Sequence, residues 1–177
     1  MIGRDPIADD LFLRTLGRLT RGALHELSNP LLAVIGSAEL ALAAAEPGSK
    51  VHERLQLVHR TSLEIAEIVR ALQGFTRERA APPRPIPLGD AAAGAIRLVE
   101  LVSAVRDVEV RLRRETEPVV VASPGDVAAA LVSALLDAVT AAERDAVVQV
   151  VVTHAGGDAV VRVDGDDVLT VPLEEET

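Results

Sequence analysis

Two long runs of apolar residues at helical spacing, broken once, constrain this chain more than any other feature. In the first run, Leu16, Leu19, Ala23, Leu27, Leu31, Val34, Ala38, Leu42 and Ala45 follow one another by steps of three or four. Such steps place residues along one side of an α-helix. Glu46-Pro47-Gly48-Ser49 then stops the pattern. In the second run, Val51, Leu55, Val58, Ser62, Ile65, Val69 and Leu72 alternate steps of four and three, the period of a coiled coil. The pattern predicts helices over about 6–45 and 50–79, joined by a short turn into an antiparallel hairpin. One hairpin buries one seam and leaves Leu24, Ile35, Leu63 and Ile68 needing cover. Pairing two hairpins into a four-helix bundle supplies that cover, so a two-fold homodimer is expected.

The remainder of the chain reads differently. Ala81-Pro82-Pro83-Arg84-Pro85-Ile86-Pro87 is too rich in proline for helix or strand and is expected to be a short, semi-rigid connector. Beyond it, a helix is predicted over about 89–105, then short strands at 109–113 and 119–122. Ser123 is a good N-cap with Pro124 at the first helical position, and the helix they start runs to about residue 142. Alternating strands follow at 146–153 and 159–163 around a Gly156-Gly157-Asp158 turn, with a last strand over 169–173. The order predicts helices on one face of a mostly antiparallel sheet. The fold class is therefore α+β: a helical hairpin over 1–80, a linker over 81–87 and a small α/β sandwich over 88–177.

Composition removes several functions. Phe12 and Phe75 are the only aromatic residues, which leaves no platform for stacking bases or sugars. The 27 acidic against 18 basic residues give a formal charge of −9, disfavouring nucleic acid or anionic lipid as a main partner. Without cysteine there is no disulfide framework, thiol nucleophile or thiolate metal site. No stretch is seen to approach the roughly 20 uninterrupted apolar residues of a membrane span, and the first residues lack a signal-peptide pattern. A cytoplasmic protein with no membrane part is expected.

Chemistry concentrates in His25-Glu26-Leu27-Ser28-Asn29-Pro30-Leu31. At about 100° per residue, His25 falls on the side of the first helix away from the apolar stripe. Arg14, Arg18, Arg21, Ser28 and Leu32 share that side. An imidazole with three arginines in the preceding turns can form an anion site, although solvated charge is the more common reason for arginines on a bundle face. Asn29 lies one turn after His25, and Glu26 lies toward the helix edge. Imidazole is a nucleophile near neutral pH, with a charge state that a carboxylate can adjust. Pro30 removes a backbone donor and is expected to bend the helix just beyond His25. His52, His59 and His154 read as surface residues. The first two are seven apart rather than the three or four of a shared helical metal site, and no metal site is expected.

The segment around His25 resembles the phospho-acceptor box of sensor histidine kinases, His-Glu-Leu-x-Asn-Pro-Leu. Gly36-Ser37-Ala38-Glu39-Leu40-Ala41-Leu42 is similar to that family's continuation of the first helix. The heptad helix from Val51 looks like its partner, and Pro87-Leu88-Gly89-Asp90 resembles the entry to the ATP-binding domain. The resemblance implies that His25 becomes phosphorylated, that Glu26 orients the imidazole or takes its proton, and that Asn29 can position a water for dephosphorylation. It makes the α/β sandwich a reduced ATP-binding domain.

That domain departs from the family pattern. Asp137 stands where the resemblance places an asparagine that helps hold Mg²⁺-ATP, with Ser133 at the preceding polar position. Val163-Asp164-Gly165-Asp166-Asp167 is similar to the family's Asp-x-Gly-x-Gly element but lacks its second glycine, and no glycine-rich lid follows. Nucleotide phosphates need a concave set of backbone donors. Asp164, Asp166 and Asp167 would repel phosphates unless a metal intervened, and read more simply as a solvated acidic turn. Two accounts fit. The chain is a histidine phosphotransferase moving phosphate between response-regulator receiver domains. Alternatively, it is a non-catalytic, pseudokinase-like dimer that sequesters a regulator. No cofactor of its own is expected, because a receiver's acidic pocket would supply Mg²⁺. A kinase whose ATP-binding domain extends past this chain is a weaker third account, since the ending in Glu174-Glu175-Glu176-Thr177 looks natural.

Overall fold

The computed structural model describes residues 6–78, 81–103 and 108–173, with side chains from residue 16 onward except Arg18, Val102 and Ser103. The chain divides into two compact units after Thr76. In the first, α1 (Pro6–Ala44) and α2 (Lys50–Glu78) form a hairpin. Its turn uses Gly48 in the left-handed region at φ 79°, where the absence of a Cβ removes the steric penalty. Ser49 Oγ accepts the His52 backbone N–H at 3.2 Å and so caps the start of α2. Polar contacts pair residue 21 with 76, 24 with 73 and 39 with 59, which shows that the helices run antiparallel.

The hairpin's apolar residues form two adjacent stripes, not one. Leu24, Ile35 and Ala38 of α1 are buried with Ser62, Ala66 and Val69 of α2. Leu16, Leu19, Leu27 and Val34 of α1, and Val51, Val58 and Ile65 of α2, are exposed in the single chain. The expectation that Leu24 and Ile35 need an outside cover is thus corrected: they fill the seam inside the hairpin. Leu19, at 66% exposed, and Leu27, at 54%, stand outside it. On α1 the two stripes are about 60–100° apart, so a step of three or four is compatible with either. Leu63 is exposed, as expected, and Ile68 is half-buried. His52 and His59 are half-buried at the surface of the hairpin, and His154 is exposed.

The second unit has a four-stranded sheet in the order β2 (Glu109–Arg114), β4 (Val147–Ala155), β5 (Asp158–Val163), β6 (Asp166–Pro172). β2 runs parallel to β4, and the other pairs are antiparallel. A separate two-stranded sheet joins β1 (Arg84–Pro87) to β3 (Val119–Ala122). Residues 84–87 of the expected connector are therefore a strand. α3 (Leu88–Ser103) packs on β2 and β4, while α4 (Pro124–Ala141) packs on β5 and β6 and against α3. Alternation along β4 places Val148, Val150 and Val152 in the core, with Val161 and Val163 beside them on β5. Leu131 and Leu135 of α4 meet that layer, each 1% exposed. Ser123 caps α4 as its sequence predicts, accepting from the Asp126 N–H. The architecture is α+β, a helical hairpin followed by a small mixed sheet.

By length and composition alone, Leu19–Ala44 and Pro124–Ala141 are apolar enough to cross a membrane. Neither is an uninterrupted apolar run: the first contains Arg21, Glu26 and Glu39, and the second Asp126 and Asp137. Pro124–Ala141 spends its apolar residues on the core of the second unit.

Candidate functional site

The site is a stretch of α1 whose two sides face different environments. Leu24 is buried in the seam, and His25 follows it about 100° around the helix, exposed to solvent. Asn29 lies one turn on, within about 40° of His25, and Glu26 flanks Asn29 from the other side. Glu26 and Asn29 are both exposed. Leu32, one further turn along, is 60% exposed and gives this face an apolar spot. The three side chains carrying the expected chemistry therefore share one accessible surface. The side chains of Arg14 and Arg18 lie outside the described residues.

Along the edge of this surface nearest Leu24, α1 is tied to α2 by polar bonds. Gln73 Nε2 donates to the Leu24 carbonyl at 3.1 Å and to Ser28 Oγ at 2.9 Å. Ser28 Oγ in turn donates to the Leu24 carbonyl at 3.0 Å. Arg21 Nη2 donates to the Thr76 carbonyl at 2.7 Å, satisfying one of the acceptors left open near the end of α2. Two residues expected to face a partner thus have internal bonds. Arg21, although exposed, is anchored to α2, and the half-buried Ser28 turns its hydroxyl into the hairpin. Gln73 and Thr76 were not singled out from the sequence. Gln73 continues the seam by the step of four from Val69, and a polar residue there was the available signal.

α1 continues through Pro30 without a break. Proline has no N–H, so the Glu26 carbonyl loses its intrahelical donor. The helix therefore lacks one of its own hydrogen bonds between the two residues that Gln73 contacts.

In the second unit, Ser133 and Asp137 are exposed on α4. The Asp164-Gly165 element is a hairpin turn between β5 and β6, with φ of 51° and 95°, a geometry that favours Asp followed by Gly. Asp164 Oδ1 accepts the Gln149 N–H at 2.7 Å, and the Asp164 N–H donates to the Gln149 carbonyl at 2.9 Å. This carboxylate therefore stands in for a backbone acceptor beside β4. Asp167 pairs with Arg162 at 2.6 Å across the β5–β6 ladder. Pro87-Leu88-Gly89-Asp90 also has local work. The Leu88 N–H donates to the Pro118 carbonyl at 2.9 Å, and Arg114 bridges Asp90 and Glu117. A Cβ on Gly89 would approach Glu117 Oε2 at 2.9 Å, so a side chain there would displace this cluster. Desolvation works against the Arg114 charge, but Glu117 and Asp90 hold its pKa above the usual guanidinium value.

Comparison with known proteins finds similarity to sensor histidine kinases. The chain is 23% identical over 145 residues to the sensor histidine kinase ZraS of Escherichia coli O157:H7, spanning 81% of this chain and 32% of that protein. It is 24% identical over 150 residues to ZraS of Salmonella typhimurium, spanning 84% and 32%. It thus covers about a third of the length of these relatives. No family model matches. Similar solved structures include full-length ShkA in complex with AMPPNP, with a TM-score of 0.47, 18% identity and coverage of 82% of this chain and 32% of that one. Histidine kinase ThkA in complex with response regulator protein TrrA gives 0.43, 15%, 87% and 46%. The cytoplasmic segment of histidine kinase QseC gives 0.40, 20%, 71% and 80%. The sequence similarity is to one segment of sensor histidine kinases.

Proposed function

We propose that this chain is a cytoplasmic histidine phosphotransferase that takes a phosphoryl group from one response-regulator receiver domain onto His25 and passes it to another. The observation that carries the reading is the exposed surface of α1 on which His25, Glu26 and Asn29 stand together. The imidazole lone pair attacks phosphorus as the bond to the donor's aspartyl oxygen breaks, forming an N–P bond and releasing a carboxylate. The reverse step loads the next receiver. Such a transfer needs positioning and charge more than covalent machinery. Glu26 orients the ring or takes its proton, and Asn29 places a water when the phosphohistidine is hydrolysed. Mg²⁺ comes with the receiver's own acidic pocket. Leu32, Arg14 and Arg18 flank His25 as docking residues, with Arg21 and Ser28 contributing through their hold on α2.

The chain's own residues do not fit ATP. Asp164, in the element that resembles a nucleotide-binding one, gives its carboxylate to the Gln149 amide. The second unit then serves as scaffold and docking surface. The exposed stripe of Leu16, Leu19, Leu27, Val34, Val51, Val58 and Ile65 supplies the apolar surface through which two copies form a four-helix bundle.

The test is incubation with phosphorylated receiver domains, following label onto the chain. Label should appear on the purified protein and be absent from His25→Ala, which leaves the seam untouched and should remain folded and dimeric. Uptake by His25→Ala would identify another acceptor. A chain that binds receivers without ever taking label would be the non-catalytic dimer instead.

A further inference from the structure

We propose that Gln73 is a positioning residue for His25: from α2, it fixes the rotation of the α1 turn that presents the imidazole. The inference rests on His25 being the reacting residue. It starts from a closed three-way contact of Gln73 Nε2, Ser28 Oγ and the Leu24 carbonyl, with edges of 2.9, 3.0 and 3.1 Å. The chemistry allows one assignment. A backbone carbonyl only accepts, so the amide nitrogen of Gln73 must face Leu24. Its two hydrogens then serve two acceptors, and the Ser28 hydroxyl accepts one of them while donating its own to Leu24.

Leu24 immediately precedes His25, and Ser28 immediately precedes Asn29. Holding these two residues from α2 sets the angle at which both neighbours face outward. The need for an outside hold comes from Pro30, which leaves the Glu26 carbonyl without its intrahelical donor. Thr76 Oγ1 donates to the Gln73 carbonyl at 3.1 Å, and Arg21 reaches the Thr76 carbonyl. The same stretch of α2 is thus bonded to α1 again one turn before His25. A small phosphodonor that diffuses freely to the ring has no use for that angle. A docked receiver domain does, because its aspartyl phosphate must meet the ring in line.

The experiment uses the full chain with ¹⁵N-labelled histidine and two variants. Gln73→Met keeps bulk and loses the donors, whereas Gln73→Lys keeps a donor of similar reach. Phosphoramidate is the small donor, and the large donors are a panel of phosphorylated receiver domains. Gln73→Met should move the His25 ring signals and slow transfer from a receiver five- to tenfold, with phosphoramidate labelling within twofold of the parent. Gln73→Lys should recover at least half of the receiver rate. Unchanged His25 signals in Gln73→Met, or equal slowing with both donor types, would overturn the proposal, as would equal behaviour of the two variants. If neither donor labels His25 in the parent chain, the phosphotransferase reading fails. The ring signals would then decide separately whether Gln73 sets the orientation.

Discussion

The two units bury their apolar residues to very different depths. Leu88, Leu131, Leu135, Val150 and Val161 of the second unit are less than 2% exposed. The most buried described residues of the hairpin are 5–7% exposed, and one of them is Ser62. The second unit closes a core from its own strands and helices. The hairpin seam is thinner, is crossed by Gln73, Ser28 and the His59–Glu39 contact at 3.2 Å, and has an apolar stripe left open beside it. Polar contacts in such a seam fix which residues face each other, at some cost in apolar burial. The proposed chemistry therefore sits on the unit whose apolar stripe is open, and the other unit closes its core from its own elements.

Matched truncations should separate the two units most widely. Leu135→Ala opens a cavity in the second unit's core and should cost about 2–5 kcal/mol, read as a lower unfolding midpoint. Leu27→Ala removes an exposed side chain, so folding of an isolated hairpin should change by no more than about 0.5 kcal/mol. Its effect should appear in sedimentation as weaker association, by about 1–2 kcal/mol per copy. If Leu27→Ala leaves association unchanged, the open stripe is not the dimer surface, and the contrast between the units loses its meaning.

How much of this was readable beforehand follows from where patterns are unambiguous. Ser123-Pro124 announced α4, and alternating valines announced β4 and β5, because capping and a period of two each admit one reading. β1 was missed because prolines argue against strands. Pro85 and Pro87 alternate with Ile86, which pairs with Val120, so they take positions whose N–H would face away from β3. The missing donors cost the ladder nothing. The hairpin's two stripes were merged into one because helical steps give the angle of a residue but not which neighbouring helix covers it. His25, Glu26 and Asn29 were found by their motif, and the structure places all three on an accessible face. A polar Gln73 in the seam is legible, but its role is not, because that depends on α2 running antiparallel with residue 73 level with residues 24 and 28.

A smaller effect should follow from the Asp164 turn. Asp164→Ala removes the acceptor for the Gln149 N–H and puts alanine at φ 51°, where Asp and Asn are tolerated better. The expected loss is about 1–2 kcal/mol, confined to the second unit, with Asp164→Asn retaining most of the stability. Calorimetry with Mg²⁺-ATP on the parent chain gives the complementary reading. Micromolar affinity would show that this turn, despite its internal bonds, belongs to a working nucleotide site.

The smallest effect is expected on the exposed face of the sheet, and its smallness is what the contrast between the units requires. Glu109 receives two bonds from Arg111, Nε to Oε1 at 2.7 Å and Nη2 to Oε2 at 2.8 Å. This hydrogen bonding, helped by the arginine's charge, holds the carboxyl below the usual carboxylate range against the opposing effect of desolvation. A carboxyl whose folded pKa is depressed binds its proton less readily than in the unfolded chain. Any stabilisation is therefore present above the unfolded pKa and is lost as pH falls through the folded one. Both side chains are more than half exposed, so solvent screens the pair and the net contribution should be near zero. Carboxyl-detected NMR titration should give Glu109 a midpoint below that of an ordinary glutamate, and Arg111→Gln should bring it back up. The unfolding midpoint at neutral pH should stay the same in Glu109→Gln and Arg111→Gln. A clear loss of stability in either variant would mean that the second unit leans on its charged face, and that its buried valines and leucines are not sufficient to hold it.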